Sequence, residues 1–405
     1  MSSSNKSFCS ECGPAEVPHF LHKANQSIGV VALAFTKPLH PIVGFLNRVL
    51  SREIELAGYF ALKFISIFKL IRLVDKPSNE KDTDRAKCMW KAAEEKKIKV
   101  KGVWVFGKPI NVFLARLPSG KRMVFEGLPR PGGDSESLDW MDNKAIMKKK
   151  FRKAGFPVPR GEAFFTLTRA KKQFNEIRRR GMMVVVKPTL GSRSRHTRIN
   201  IKTEQEFIEA FRIAKQISPY VSVEEQLLGT VHRVVLIGGK LAAVMRRDHP
   251  IVIGDGRSTI IQLVLLANRD PRRHTSAFHE IPINDEFEMA LKAQNFNRNS
   301  IPDAGKKIIV GTKIGRSQGG TNVDVTDEVH LENRKLFEDI GRFLQDGLVG
   351  VDFILEDIRR SWRSQMPCGT IELNSVPFLD LHMYPFEGKP RDLSGILWDE
   401  VLRQG

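Results

Sequence analysis

Two carboxylates and one amide near the end of the chain have the side chains and spacing to hold a metal ion. Asp352 stands in Gly-Val-Asp-Phe-Ile-Leu, and Glu372 and Asn374 stand in Ile-Glu-Leu-Asn. Both strings read as strands. Because strand side chains alternate, Glu372 and Asn374 share one face while Ile371 and Leu373 take the other. An all-oxygen set of this kind suits magnesium shared with nucleotide phosphates. Spacing alone allows an ordinary amphipathic strand pair equally well. Elsewhere, Lys187 closes the apolar run Met182 to Val186 and precedes Pro188. A lysine at a strand end beside the polar segment Thr189 to Thr197 is placed for phosphate. Lys144 opens a helix and offers a second cation, whereas Lys148, Lys149, Lys150, Arg152 and Lys153 behind it read mostly as a solvated basic face.

These groups need strands and helices to carry them, and the pattern supplies both. Helices are expected over Ala145 to Ala154, Thr203 to Lys215, Glu328 to Leu344 and Leu393 to Leu402. Strands are expected over Met182 to Lys187, Tyr220 to Gln226, Gly350 to Glu356 and Cys368 to Val376. Arg233 to Ile237 and Leu241 to Met245 flank Gly238-Gly239, a hairpin signal. Together these predict an α+β or α/β body without repeats. Upstream, Lys101 to Phe106, Ile110 to Ala115 and Arg122 to Phe125 are short strand-like runs of a small α/β lobe. Asp75 to Lys87, polar and containing Pro77, reads as a linker. The expected organisation is an N-terminal tail and apolar helical region at 1–75, a small lobe at 76–141 and a main domain at 142–405.

A chain of 405 residues, 41% hydrophobic and 27% charged, has material for one to three cores. Its 65 Lys and Arg against 46 Asp and Glu leave +19, which points to an anionic partner without choosing among phosphates, acidic peptides, nucleic acid and lipid. Four cysteines are too few for a disulfide scaffold and suit a reducing cytosol. MSSSNKSFCSECG has neither the basic leader nor the apolar core of an export signal. From Ile28 to Val74 apolar residues abound. Lys37, Arg48, Arg52, Glu53, Glu55, Lys63, Lys69 and Arg72 nevertheless interrupt them short of the roughly 20 residues of a spanning helix. Amphipathic helices packing on the rest of the protein are favoured there, with peripheral membrane contact as the other reading. Self-association into a homo-oligomer stays open.

Several strings go further. Asp-Asn-Lys-Ala-Ile-Met-Lys (142 to 148), Ala-Gly-Phe-Pro-Val-Pro (154 to 159), Val-Val-Lys-Pro (185 to 188) and Val-Glu-Glu-Gln-Leu-Leu-Gly (223 to 229) resemble the ATP-grasp superfamily. Four more resemble the ATP-grasp part of cyanophycin synthetase and related carboxylate-amine ligases: Val-Ile-Gly-Asp-Gly-Arg-Ser-Thr-Ile (252 to 260), Asn-Arg-Asp-Pro-Arg-Arg (268 to 273), Gly-Gly-Thr-Asn-Val-Asp-Val-Thr-Asp-Glu-Val-His (319 to 330) and Ile-Glu-Leu-Asn-Ser-Val-Pro (371 to 377). The resemblance implies an α+β fold of two subdomains gripping ATP, in a ligase that joins a carboxylate to an amine through an acyl phosphate. It implies ATP phosphates on Lys144 and Lys187 and on the loop of Gly191 and Ser192. Glu224, Glu225, Gln226 and Leu227 would line the adenine side. Asp352, Glu372 and Asn374 would hold Mg2+, with Mn2+ an alternative, and Arg246, Arg247 and Arg316 would face the acyl phosphate or an acidic substrate. The substrates implied are small carboxylates and amines, with no specific nucleic acid partner.

The chain also departs from that pattern. Ser194 and His196 occupy positions where relatives usually carry lid glycines, and Val231 stands where an acidic residue usually meets the ribose. Those changes favour a second reading, an ATP-binding accessory or scaffold module with weakened catalysis. Nor does the chain continue into the further Mur-ligase-like domain of full cyanophycin synthetases, so cyanophycin polymerisation itself is not expected.

Other signals carry less. Gly102 to Lys108 has the outline of a phosphate-binding loop, but Pro109 stands where Ser or Thr should follow and Val-Trp-Val-Phe fills the loop, so a strand and turn are expected. Cys9, Cys12, His19 and His22 are zinc-ligand types, yet the short interval between the pairs is unlike common finger spacing, and a disordered tail is the simpler reading. Arg178 to Arg180 lack the aromatic interleaving of a nucleic-acid surface.

Overall fold

The computed structural model describes residues 9, 19, 23–24, 56–78, 80–189, 195–275, 277–312, 314–315 and 318–404. The apolar segment 28–55 lies outside the described residues, as do Cys12, His22, Gly191, Ser192, Ser194 and Arg316. Among the described residues, no helix is long and apolar enough to cross a membrane.

A helix over 56–67 leads to β1 (Arg72–Val74), followed by α1 (Asp84–Glu95), β2 (Lys99–Val105), β3 (Lys108–Arg116) and β4 (Arg122–Glu126). The four strands form one antiparallel sheet in the order β1-β2-β3-β4. The expected linker is partly a helix. Thr83 accepts a hydrogen bond from the Ala86 N–H and caps α1, whose Ala86, Met89, Trp90 and Ala93 recur at helical spacing and are buried. Asp84, Arg85 and Lys87 hide that period in the sequence by supplying charges to the first turn. Gly102 and Gly107, which gave the segment its phosphate-loop outline, have other tasks. A side chain at Gly102 would meet the Trp90 ring at 2.6 Å. Phe106 and Gly107, at φ 48° and 74°, form the two-residue hairpin turn that joins β2 to β3, as the strand-and-turn reading expects.

Next come α2 (Lys144–Lys153), β5 (Gly161–Phe164), α3 (Leu167–Arg179), β6 (Val184–Pro188), β7 (Arg198–Ile201), α4 (Glu204–Lys215) and β8 (Val221–Glu225). Their sheet is antiparallel in the order β5-β8-β6-β7. Val184 and Val186 of β6 and Val221 and Val223 of β8 alternate onto one face, where they pack with Ala170, Phe174 and Ile177 of α3 and Phe207, Phe211 and Ala214 of α4. Phe174 and Phe207 stack at 4.6 Å. Thr203 and Glu206 close a reciprocal capping box at the start of α4.

The remainder comprises β9 (Thr230–Ile237), β10 (Lys240–Asp248), β11 (Ile251–Ile253), α5 (Ile260–Ala267), α6 (Asp285–Lys292), β12 (Lys307–Ile309), β13 (Thr321–Asp324), α7 (Leu331–Leu344), β14 (Leu348–Leu355), β15 (Gly369–Asn374) and α8 (Leu393–Gln404). The hairpin predicted around Gly238-Gly239 is β9–β10, inside an antiparallel sheet β13-β10-β9-β14. Phe337 of α7 packs edge-on against Phe353 on one face at 5.3 Å. Val235 and Ala243 share a core with α1 and α8, where the Trp398 indole N–H donates to the Met89 carbonyl at 3.0 Å. β11 and β12 pair separately over α5 and α6.

The chain divides into two compact units. The first comprises Met1–Leu46, Asp139–Gly229 and Met366–Leu373, and the second Asn47–Leu138, Thr230–Gln365 and Asn374–Gly405. β15 straddles that division: Glu372 counts with the first unit and Asn374 with the second, where a side chain at Gly350 of β14 would meet Asn374. Mixed helices and antiparallel sheets make an α+β protein, as the sequence predicts.

Candidate functional site

In the first unit, the sheet face opposite the valine core is polar. Lys187 of β6 pairs in register with Ser222 of β8, and Val185 with Glu224, so Lys187, Ser222 and Glu224 share that face. The Lys187 ammonium lies 3.1 Å from a Glu224 carboxylate oxygen. The other oxygen takes the Lys148 ammonium and the Ser222 hydroxyl in short hydrogen bonds. Asn143 caps α2 by accepting from the Ala145 and Ile146 N–H groups, which fixes Lys144 at the first position of the helix. Lys144 and Lys148, four apart, therefore lie on one helix face, and Lys144 reaches Glu372 at 3.5 Å. The unit thus gathers Lys144, Lys148 and Lys187 against Glu224 and Glu372.

Glu224, Lys148 and Lys187 are all buried. Burial works against the charge of Glu224, but the two ammoniums hold its carboxyl down to about 2. Burial drives Lys148 well below the usual lysine range, and Lys187 beside it adds to that, although Glu224 pulls the other way. For Lys187 burial also lowers, yet Glu224 outweighs it and the net shift is upward. Two buried lysines share one carboxylate.

The neighbouring residues steady this strand. Glu225 accepts from the Arg160 N–H at 2.9 Å, Gln226 exchanges hydrogen bonds with Asn200 at 2.7 Å, and Leu227 is buried. The Glu224 carboxylate is taken up by the two lysines. Sequence reading placed Lys148 with the solvated lysines of α2, but it is buried. The signal that could have found it is its four-residue interval from Lys144.

In the second unit, cross-strand register sorts the candidates by face. Asp352 pairs with Arg233, Arg233 with Met245, and Arg247 with Val231 and Asn322, so Asp352, Arg233, Arg247 and Asn322 share one face. Arg233 grips Asp352 with two parallel hydrogen bonds, one of them 2.8 Å, and both residues are buried. Arg247 donates to the Ile314 carbonyl at 3.3 Å. Arg246 projects to the other face, where Asp248 takes its guanidinium at 2.8 Å. Arg246 and Arg247 therefore leave β10 on opposite faces. Arg233 was missed because only strand pairing brings it to Asp352.

Three residues near this face carry buried atoms with no hydrogen-bond partner among the described residues: the Asn322 and Asn374 amide nitrogens and both ring nitrogens of His382. Burial, and then the nearby Arg233 charge, push His382 down to about 3, so it is neutral. The donors Asp352, Glu372 and Asn374 are all oxygen, and each Asp352 oxygen keeps a lone pair beyond its bond to Arg233. Asp352 and Asn374 of the second unit offer oxygen donors of the kind magnesium takes, and Glu372 offers another in the first.

This architecture is an ATP-grasp fold, as the crystal structure of a bifunctional glutathione synthetase from Pasteurella multocida shows, matching with a TM-score of 0.57 over 79% of this chain and 43% of that one, at 23% identity. No family model matches the chain. Among curated proteins, cyanophycin synthetase of Trichormus variabilis is 32% identical over 263 residues, covering 64% of this chain and 29% of its own length. A glutathione biosynthesis bifunctional protein of Enterococcus faecalis is 31% identical over 275 residues, 65% of this chain and 36% of its own. The chain therefore spans about a third of the length of the curated relatives it matches. The resemblance drawn from the motifs is borne out.

Proposed function

We propose that this chain is an ATP- and magnesium-dependent ligase that joins a carboxylate to an amine, acting on an amino acid or acidic peptide. The observation that carries the reading is the surplus of buried positive charge in the first unit, where Lys148 and Lys187 share Glu224. A pair in excess over its carboxylate attracts an anion, and Lys187 at its strand end with Lys144 at its helix start would hold ATP phosphates. Asp352, Glu372 and Asn374 would hold the metal, Mg2+ or Mn2+ through the same oxygens, and it would neutralise charge on the transferring phosphoryl group. In the first step a substrate carboxylate oxygen attacks the terminal phosphorus of ATP and ADP leaves. In the second the amine nitrogen attacks the acyl carbon, phosphate leaves with the acyl oxygen, and the nitrogen loses a proton. Arg246, Arg247 and Arg316 would face the acyl phosphate or an acidic substrate. The same reading carries a cytoplasmic location. A homo-oligomer is compatible with it, and the exposed Phe60, Phe64 and Phe68 keep peripheral membrane contact within it.

A second reading, an ATP-binding module with weakened catalysis, is favoured by the apolar Val231 at the expected ribose position. Phosphate release from ATP separates the two, measured with magnesium and pooled amino acids and acidic dipeptides, beside Glu372→Ala. Release that needs an added acid or amine and vanishes in the variant is expected. ATP binding without release would establish the module, and absence of binding would sink both.

A further inference from the structure

We propose that Cys9, His19 and His196 form a zinc site, separate from the oxygen ligands assigned to magnesium, that ties the N-terminal segment to the turn preceding β7. Their ligand atoms all lie within 4.8 Å of one another. The Cys9 sulfur is 3.8 Å from the His196 Nε2, and the His19 and His196 rings meet edge-on at 4.8 Å between centroids. In a tetrahedral zinc site, metal distances of about 2.0 to 2.3 Å put neighbouring ligand atoms roughly 3.3 to 3.8 Å apart. The group stands at or slightly outside that spacing, so a small contraction would place three donors on one ion.

The orientation of His196 supports the assignment. Its Nδ1 lies 2.9 Å from the Ile213 carbonyl oxygen, which can only accept, so Nδ1 carries the proton and the Nε2 lone pair is left on the side of Cys9. A ligating histidine is commonly fixed in this way, by a second hydrogen bond that sets its tautomer. His196 is fully buried, whereas Cys9 and His19 are partly exposed, which leaves a route for the ion. The backbone of His196 is left-handed, at φ 52°, a conformation that costs a non-glycine residue free energy. One thiolate and two imidazoles form a borderline-soft set that selects zinc over magnesium or calcium. The fourth tetrahedral position remains for water or another donor.

Two of these residues belong to the cysteine and histidine pairs of the N-terminal tail, but His196 is more than 170 positions away from either and has no sequence pattern linking it to them. It therefore provides the discriminating test. The full chain, produced without a metal-binding tag, should carry about one equivalent of zinc by elemental analysis. Cobalt(II) added to the zinc-free chain should give the visible bands of a tetrahedral thiolate complex. Cys9→Ser and His196→Gly, the latter suited to the left-handed backbone, should each lower the zinc content at least tenfold. Zinc retained in full by His196→Gly would overturn the proposal by placing the ion on the tail alone, and absence of zinc and cobalt binding in the unaltered chain would overturn it outright. X-ray absorption at the zinc edge of the unaltered chain needs no variant: a shell with one sulfur and at least two imidazole nitrogens is expected, and one without sulfur sinks the site.

Discussion

The two units handle buried charge in opposite ways. In the first, Lys148 and Lys187 converge on Glu224 alone, two cations to one carboxylate. In the second, Arg233 closes on Asp352 with both donors, one cation to one carboxylate. A balanced, bidentate pair fixes the carboxylate and leaves its outer lone pairs available to a metal. An unbalanced trio leaves positive potential in a low-dielectric site, where an anionic group gains most from it. On the proposed reading, the first arrangement would receive phosphate and the second would present oxygen to the metal.

The comparison is tested most severely by removing the lysine at the strand end. Lys187→Met should lower kcat/KM for ligation by about 100- to 1,000-fold, the scale for loss of one preorganised charge-stabilising donor. Stability should change little, because Lys148 and Glu224 then form a balanced pair. A loss of activity that follows loss of folded protein would show Lys187 to be structural.

Glu224→Gln is the converse. It leaves two buried ammoniums without a carboxylate, and stability should fall by about 3 to 5 kcal/mol in urea denaturation. A change within experimental error would mean that water already screens the lysines and that the trio is no charge reservoir.

Acid should affect the two units over different windows. Glu224 is held at about 2 against an ordinary 4.5, so its contribution is complete above pH 4.5 and is lost as pH falls towards 2. In the second unit, burial lowers His232 to about 4 and His382 to about 3 from 6.5. Below pH 6.5 the unfolded chain binds protons that the folded unit refuses, so stability there declines as pH falls from 6.5 towards 3. Hydrogen exchange resolved by peptide should show residues 230–365 losing protection at a higher pH than 139–229. Loss in the reverse order would contradict the assignment of neutral, buried histidines.

How much of this the sequence could show depends on which forces set each feature. Local patterns fixed β6, β8 and the β9–β10 hairpin, because alternation and a Gly-Gly turn act over a few residues. Lys144 and Lys187 were legible for the same reason, standing at a helix start and a strand end. The pairing of Arg233 with Asp352 was not, because it depends on register between strands 119 positions apart. Arg246 and Arg247 looked interchangeable as a string, and only their opposite sides of β10 separate them. Lys148 was hidden by composition: four other basic residues between 149 and 153 made it resemble a solvated face. Thr83 and the first turn of α1 were read as linker because their charges masked a helical apolar period.

Lys148 also gives the smallest predicted effect and the sharpest. Lys148→Met removes a buried ammonium whose carboxylate keeps Lys187 at 3.1 Å, so no charge is left unpaired. The desolvation cost of one ion disappears together with its attraction to Glu224, and exchanges of this kind come out close to neutral. Methionine is long and flexible enough to fill the space. The expected stability change is within about 1 kcal/mol of zero, several-fold below that of Glu224→Gln at the same contact. Lys187, relieved of a like charge, should sit closer to its carboxylate and bind phosphate less readily, so the KM for ATP should rise while the fold stands. A large destabilisation would mean that Glu224 needs both lysines, and the first unit would then be balanced in the same sense as the second.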